Sequence, residues 1–163
     1  SAMTVTDNAA LRPGNAGITI FIVTRSNSDS GTEFNLFRKW GSAGNQGYLI
    51  NYKNNGTPDQ MVFGISNDGT DTSFLTQTQS PLSTSMLIEY KGRVSTSTNS
   101  EFFINGASAG TTTKNVFAST ENISIGEGSA NNFNIAEFLV YMRELSSKES
   151  SMISYYLSSK WGI

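Results

Sequence analysis

The chain contains no cysteine and no histidine in 163 residues. Together the two absences exclude much chemistry: a Ser-His-Asp triad, a cysteine nucleophile, zinc held by Cys or His, and a histidine general base. Charge is also scarce. Asp, Glu, Lys and Arg make up 15% of the residues and the formal net charge is −2, which leaves no field to attract nucleic acid or an anionic membrane. No apolar run reaches the length of a membrane span, so a soluble chain with no membrane insertion is expected. Lack of cysteine leaves the redox compartment open, because many surface proteins of bacteria and phages have none.

Ser, Thr and Asn are what the chain has in abundance, 57 residues in all. With few Lys and Glu, such a composition suits a β protein with long polar loops, and it is common in exported and virion proteins. The length suits one domain, which buries roughly 70% of its unfolded surface and needs no disulfide or metal to hold it. Ser1-Ala2-Met3 reads as the remnant of a cleaved tag, so residues 4–163 are expected to form the domain. No signal peptide follows. The chain is therefore expected to be an export product already trimmed, one domain of a longer protein, or a protein assembled into a particle.

Periodicity predicts many short strands. Ile18 to Thr24 is apolar at both parities. Phe34 to Trp40, Tyr48 to Lys53, Met61 to Ser66, Met86 to Tyr90, Glu101 to Ile104, Ala107 to Thr112 and Ile123 to Gly126 are shorter runs between turn signals. Turn chemistry is dense at Pro13-Gly14, at 27–32 and at 54–58. Asn105-Gly106 is the strongest hairpin signal, because both residues tolerate positive φ. Asn67 to Pro81 reads as a long polar loop, with Phe74 and Leu75 tucked down. The chain is organised around its last stretch. Ile135 to Met142 is apolar at both parities apart from Glu137, which predicts a central strand covered on both faces. Ser146-Ser147-Lys148-Glu149 then forms a capping box. Met152, Ile153, Tyr156, Leu157 and Trp161 follow at helical spacing, and Gly162 stands at the C-cap position. The fold class predicted is all-β: a two-sheet antiparallel sandwich with one C-terminal helix packed on a sheet.

Ile135-Ala136-Glu137, Tyr141, Leu145-Ser146, Tyr156-Leu157 and Lys160-Trp161-Gly162 resemble the closing motif of the laminin-G-like jelly-roll domains of the concanavalin A-like lectin/glucanase superfamily. The leading Thr-Ile-Phe strand, the Phe-Ile-Asn-Gly hairpin and the Ile-Gly strand extend the resemblance over nearly the whole chain. It departs at Thr84-Ser85-Met86-Leu87, where many members carry Trp-His. The superfamily includes glycoside hydrolases, which resemble one another in a Glu-x-Asp-x-x-Glu strand that supplies nucleophile and acid. That spacing occurs nowhere here. Glu33, Glu89, Glu101 and Glu137 each stand alone on their strands, so a non-catalytic domain is expected.

The residues expected to touch a ligand are Trp40, Tyr48 and Tyr52, whose rings could stack on a pyranose, with Arg38 and Asn51 bonding its hydroxyls. Tyr48 and Tyr52 share a strand face, as do Arg38 and Trp40. Core packing is the alternative for each ring. Trp161 is read as packing. Asn67-Asp68-Gly69-Thr70-Asp71 alternates oxygen side chains around a glycine, as a calcium loop would, and relatives bind calcium at rim carboxylates; Asp68 and Asp71 would be ligands, unless this is an Asx turn. Glu137 reads as a structural anchor, partnered by Arg25, Arg143 or backbone donors. Asn55-Gly56-Thr57 and Asn122-Ile123-Ser124 are glycosylation sequons. The function expected is carbohydrate recognition in an extracellular, cell-surface or phage tail protein. The alternative is a structural or decoration protein that contacts other virion or surface subunits.

Overall fold

The computed structural model describes residues 2–14, 16–26, 33–53, 60–78, 84–93, 99–128 and 133–163. The turn clusters at 27–32 and 54–58 and the sequon at 55–57 lie outside them. Eleven strands, one α-helix and a single 3-10 turn at Ala9–Leu11 are present among the described residues: β1 (Met3–Val5), β2 (Ile18–Ser26), β3 (Glu33–Trp40), β4 (Gln46–Lys53), β5 (Gln60–Ser66), β6 (Thr72–Thr78), β7 (Met86–Gly92), β8 (Ser100–Ile104), β9 (Ala107–Thr112), β10 (Ile123–Gly128), β11 (Phe133–Tyr141) and α1 (Ser147–Trp161). They form a six-stranded sheet, β1-β10-β3-β4-β5-β6, and a five-stranded sheet, β11-β2-β7-β8-β9. Every pairing is antiparallel. This is the expected jelly-roll sandwich.

The core lies between the sheets. Ile18, Ile20 and Ile22 of β2 face Phe37, Tyr48 and Ile50 of the other sheet in one buried cluster. A file of rings runs through it. Phe138 meets Phe37 at 5.0 Å between centroids, Phe37 meets Tyr48 at 5.6 Å, and Tyr48 meets Tyr90 at 6.0 Å. Tyr90 stacks on Phe102 at 4.8 Å, and Phe102 meets Phe63 at 4.5 Å. Such ring pairs add to the area they bury. Asn105 and Gly106 adopt φ of +50° and +77°, as a two-residue hairpin turn requires.

The C-terminal unit departs from expectation in three ways. β11 is an edge strand, not a central one. Its two apolar faces have another cause. A bulge between Ile135 and Glu137 shifts the register. Beyond it Phe138 and Val140 pack on the main core, while Leu139 and Tyr141 pack under α1. The helix packs near this edge, so partial burial on both faces did not require a central position. Second, the helix stripe is narrower than its spacing implied. Leu157 is fully buried and Ile153 packs beside Phe21, Val23 and Leu87. Met152 and Tyr156 are exposed. The buried side of the helix also carries Ser150, and a serine on a packing face escapes a search for apolar residues. Third, Glu137 takes its partners from the end of the helix. It accepts from Lys160 Nζ and Trp161 Nε1, both at 2.8 Å, not from Arg25 or Arg143. Trp161 is therefore half-exposed and works as a hydrogen-bond donor more than as packing.

The long polar loop is also corrected. Its second half is β6, paired with β5 from Thr72 to Thr78. A strand at the sheet edge buries little, so a mostly polar sequence suffices.

The capping box forms as expected, with Ser146 Oγ accepting from the Glu149 N–H and Glu149 accepting from the Ser146 N–H. Arg143 donates to the same carboxylate at 2.6 Å. Arg143 first, then the Ser146 hydroxyl and amide, hold the Glu149 pKa at about 2, below the ordinary 4.5. A lowered carboxylate stabilises above its unfolded value, and the contribution disappears as pH falls toward the folded one. Helix α1 is therefore expected to loosen between pH 4.5 and about 2. Far-UV circular dichroism should show a Glu149→Gln variant with a flatter acid profile over that range. Coincident profiles would refute this role for Glu149.

Candidate functional site

Residues paired across a ladder point to the same side of a sheet. On the face of the six-stranded sheet turned away from the core, register aligns Asn35, Asn51, Val62 and Thr76 in one row. Arg38, Leu49, Gly64 and Phe74 form the next. Glu33, Lys53, Gln60 and Thr78 form a third. A cleft of about 330 Å³ lies among them, with Leu49, Asn51, Val62 and Phe74 prominent in its lining.

Gly64 makes room for the aromatic wall. A Cβ there would lie 2.8 Å from the Phe74 ring and 2.9 Å from Leu49 Cγ. Without it Phe74 lies across the sheet, 53% exposed, and meets the Trp40 ring at 5.7 Å between centroids. Asn51 is 7% exposed and its Oδ1 accepts no hydrogen bond. Buried polar atoms are nearly always paired, so an orphan acceptor in a cleft is an unmet demand. The charges around the cleft are balanced. Arg38 Nη2 donates to Glu127 Oε1 at 2.8 Å, with Nε an ion-pair contact 2.6 Å from Oε2, and Lys53 pairs with Glu33 at 2.9 Å.

Of the residues expected at a binding site, Trp40 and Asn51 belong to this face. Arg38 also lies on it, but its guanidinium is occupied by Glu127. Tyr48 and Tyr52 do share a strand face, and it is the inner one. Each is 1% exposed, so neither offers its ring to a ligand. Burial pushes the Tyr48 hydroxyl well above the usual range. The loop reading expects Phe74 tucked down with Leu75; Leu75 does pack on the core, but Phe74 stands 53% exposed on the outer face. Alternation of Phe74, Thr76 and Thr78 with Leu75 and Gln77 was the signal available.

At the loop after β5, Asp68 Oδ1 accepts from the Thr70 and Asp71 N–H groups at 2.8 and 2.7 Å, an Asx turn. These two backbone bonds, that from Asp71 first, lower the Asp68 pKa. Asp71 pairs with Lys114. No group of three or more His, Cys, Asp or Glu side chains placed to hold a metal occurs among the described residues. The strand carboxylates are likewise engaged: Glu33 with Lys53, Glu89 with Lys91, Glu101 with Arg93, Glu127 with Arg38 and Glu137 with Lys160.

The fold has relatives. A family model for the concanavalin A-like lectin/glucanases superfamily matches residues 1–149. The chain belongs to this superfamily. Among solved structures, the binding domain of Paraclostridial Mosquitocidal Protein 1 aligns with a TM-score of 0.72 at 18% identity, covering 96% of this chain and 41% of that one. A botulinum neurotoxin type C structure, described as entering cells through two ganglioside molecules, aligns with a TM-score of 0.67 at 15% identity over 96% of this chain and 40% of the other. The binding domain of botulinum neurotoxin DC, solved in complex with rat synaptotagmin II, aligns with a TM-score of 0.69 at 15% identity over the same shares, 96% and 40%. At these identities the likeness is one of fold. This chain spans about two fifths of each of these chains. No curated protein sequence matches it. Among the described residues, no helix is long and apolar enough to cross a membrane.

Proposed function

We propose that the domain is a non-catalytic recognition module of a secreted or surface protein, and that it binds carbohydrate on the outer face of the six-stranded sheet. The observation that carries this is the unpaired Asn51 Oδ1 in a cleft walled by Phe74, which itself contacts Trp40. An exposed ring can lie on the apolar face of a pyranose while the amide oxygen accepts from a hydroxyl. Balanced ion pairs around the cleft favour a neutral ligand. Carboxylates already held by cations favour binding over hydrolysis, for which two carboxyl groups must flank the bond. Superfamily membership and the toxin binding domains of like fold support a recognition role.

Glycan-array binding followed by calorimetry tests the reading. Trp40→Ala and Phe74→Ala should each weaken binding about tenfold or more, roughly 1.4 kcal/mol. Absence of binding to any glycan at millimolar concentration would overturn it. Exposed Met152, Tyr155 and Tyr156 on α1 favour a second reading, contact with a protein surface. Loss of cell binding in their triple alanine variant, with glycan binding retained, would mark that role.

A further inference from the structure

A second cleft, of about 350 Å³, lies on the other sheet, between α1 and strands β7 and β8. Its helix wall is a row of serines at positions i, i+3, i+4 and i+7: Ser147, Ser150, Ser151 and Ser154. Glu89, Lys91, Glu101 and Phe103 form the sheet side. Register places Glu89 opposite Phe103 and Lys91 opposite Glu101, so all four share one face.

The polar groups here are buried and under-bonded. Glu89 and Lys91 are each 7% exposed, and Ser150 is 3% exposed. Ser150 Oγ has no hydrogen-bond partner. Lys91 Nζ lies 3.3 Å from Glu89 Oε1, and Ser154 Oγ donates to Glu89 Oε2 at 3.4 Å. Both contacts are long for bonds to an ionised group, which normally close to about 2.7–2.9 Å. The ammonium sits 5.1 Å from the Phe103 centroid. An ion pair removed this far from water is expensive unless its remaining donors and acceptors are met. A simple packing face would place apolar side chains on the helix opposite it, as Ile153 and Leu157 do nearby.

We infer that this cleft is a second binding site, and that it takes a neutral polyhydroxylated ring, a single sugar residue. Charge balance within the cleft argues for neutrality: Glu89 is matched by Lys91, and Glu101 by Arg93 at 2.8 Å, a guanidinium whose other arm holds Glu144, outside the cleft lining, at 2.7 Å. A ligand with net charge would leave one buried charge uncompensated. Hydroxyl groups both donate and accept, so one ring can accept from Lys91, donate to Glu89 and do either with Ser150. The volume is at the small end of ligand sites, which suits one ring more than a chain. Phe103 supplies an apolar wall. The site is independent of the sheet face proposed above.

The test is an amide NMR titration of the whole domain with methyl glycosides of glucose, galactose, mannose and N-acetylglucosamine, with a parallel arm using oligosaccharides that end in the same residues. The expected result is saturable shifts at Glu89, Lys91, Phe103, Ser150 and Ser154 with one or more sugars. Binding by the methyl glycosides alone marks a free sugar; binding by both marks the end of a glycan chain. Ser150→Ala removes a hydroxyl with no protein partner, so it should leave Tm unchanged or raised and weaken binding about tenfold or more. Ser151→Trp, at an exposed position on the rim, should abolish these shifts by filling the cleft and leave any shifts at Asn51 and Phe74 intact. Shifts confined to β4 to β6, or affinity unchanged in both variants, would overturn the site. So would no shifts at millimolar sugar, which would mean that the cleft holds water only.

Discussion

Replacing Asp7 by alanine is expected to cost about 3–5 kcal/mol of folding free energy, the range for removing one partner of a buried ion pair. The group left behind is Lys39, whose side chain is fully buried. Its ammonium is held by Asp7 Oδ1 and by the Glu121 carbonyl oxygen, both at 2.5 Å. Arg12 grips the other oxygen of Asp7 at 2.5 Å. The carboxylate thus ties the segment between β1 and β2 to the end of β3. Without it the ammonium retains one carbonyl in an environment that excludes water. Urea denaturation at neutral pH measures the loss. Removing both charges, in Asp7→Ala with Lys39→Met, should restore much of it, because a pair replaced by apolar groups is often neutral. The pH dependence has a definite sign. Hydrogen bonds from Arg12 and then Lys39 lower the Asp7 pKa below its ordinary 3.8. Its stabilisation is present above that ordinary value and is lost as pH falls through the folded one. The gap between wild type and Asp7→Ala should therefore close in acid. A gap unchanged by acid would show that the carboxylate's charge is not what stabilises. The adjacent residue is Trp40, at the sheet face proposed to bind sugar, so a loosened β3 end should also weaken binding there.

Much of this architecture could be read from residue order, and the failures share a physical form. Nine strands, the Asn105-Gly106 hairpin and the capping box at Ser146 and Glu149 follow from local chemistry. Periodicity, turn residues and caps each report on only a few neighbours. What escaped depends on partners far away in sequence. Tyr48 and Tyr52 share a face by parity, but parity does not say which face meets the other sheet. Glu137 needed a partner, and the cation that supplies it, Lys160, comes from the far end of the following helix. Asp7 and Lys39 carry no local pattern, and they meet across 32 residues. β6 is polar because an edge strand buries little. The candidate site was legible in Trp40 and Asn51. It was not legible in Phe74, whose place over the sheet depends on the missing Cβ of Gly64.

Phe102→Ala is expected to cost about 3–5 kcal/mol, the range for emptying a large buried aromatic position. Phe102 is 1% exposed and lies where three rings from both sheets converge. Tyr90 of its own sheet stacks on it at 4.8 Å with planes 8° apart, and Phe63 of the opposite sheet meets it at 4.5 Å. Truncation leaves a void that neither ring can fill without breaking its own contacts. The sheets would have to close around it, and each is held in register by neighbours on both sides. Phe103 is the control. It is the next residue on the same strand and points to the opposite face, where it is half-buried in the serine-lined cleft. Phe103→Ala should cost clearly less, since its exposed area was never removed from water. Urea midpoints for the two variants, with unchanged slopes, give the comparison. Equal losses would mean that β8 does not present alternate residues to core and cleft, and the assignment of both faces would fail with it.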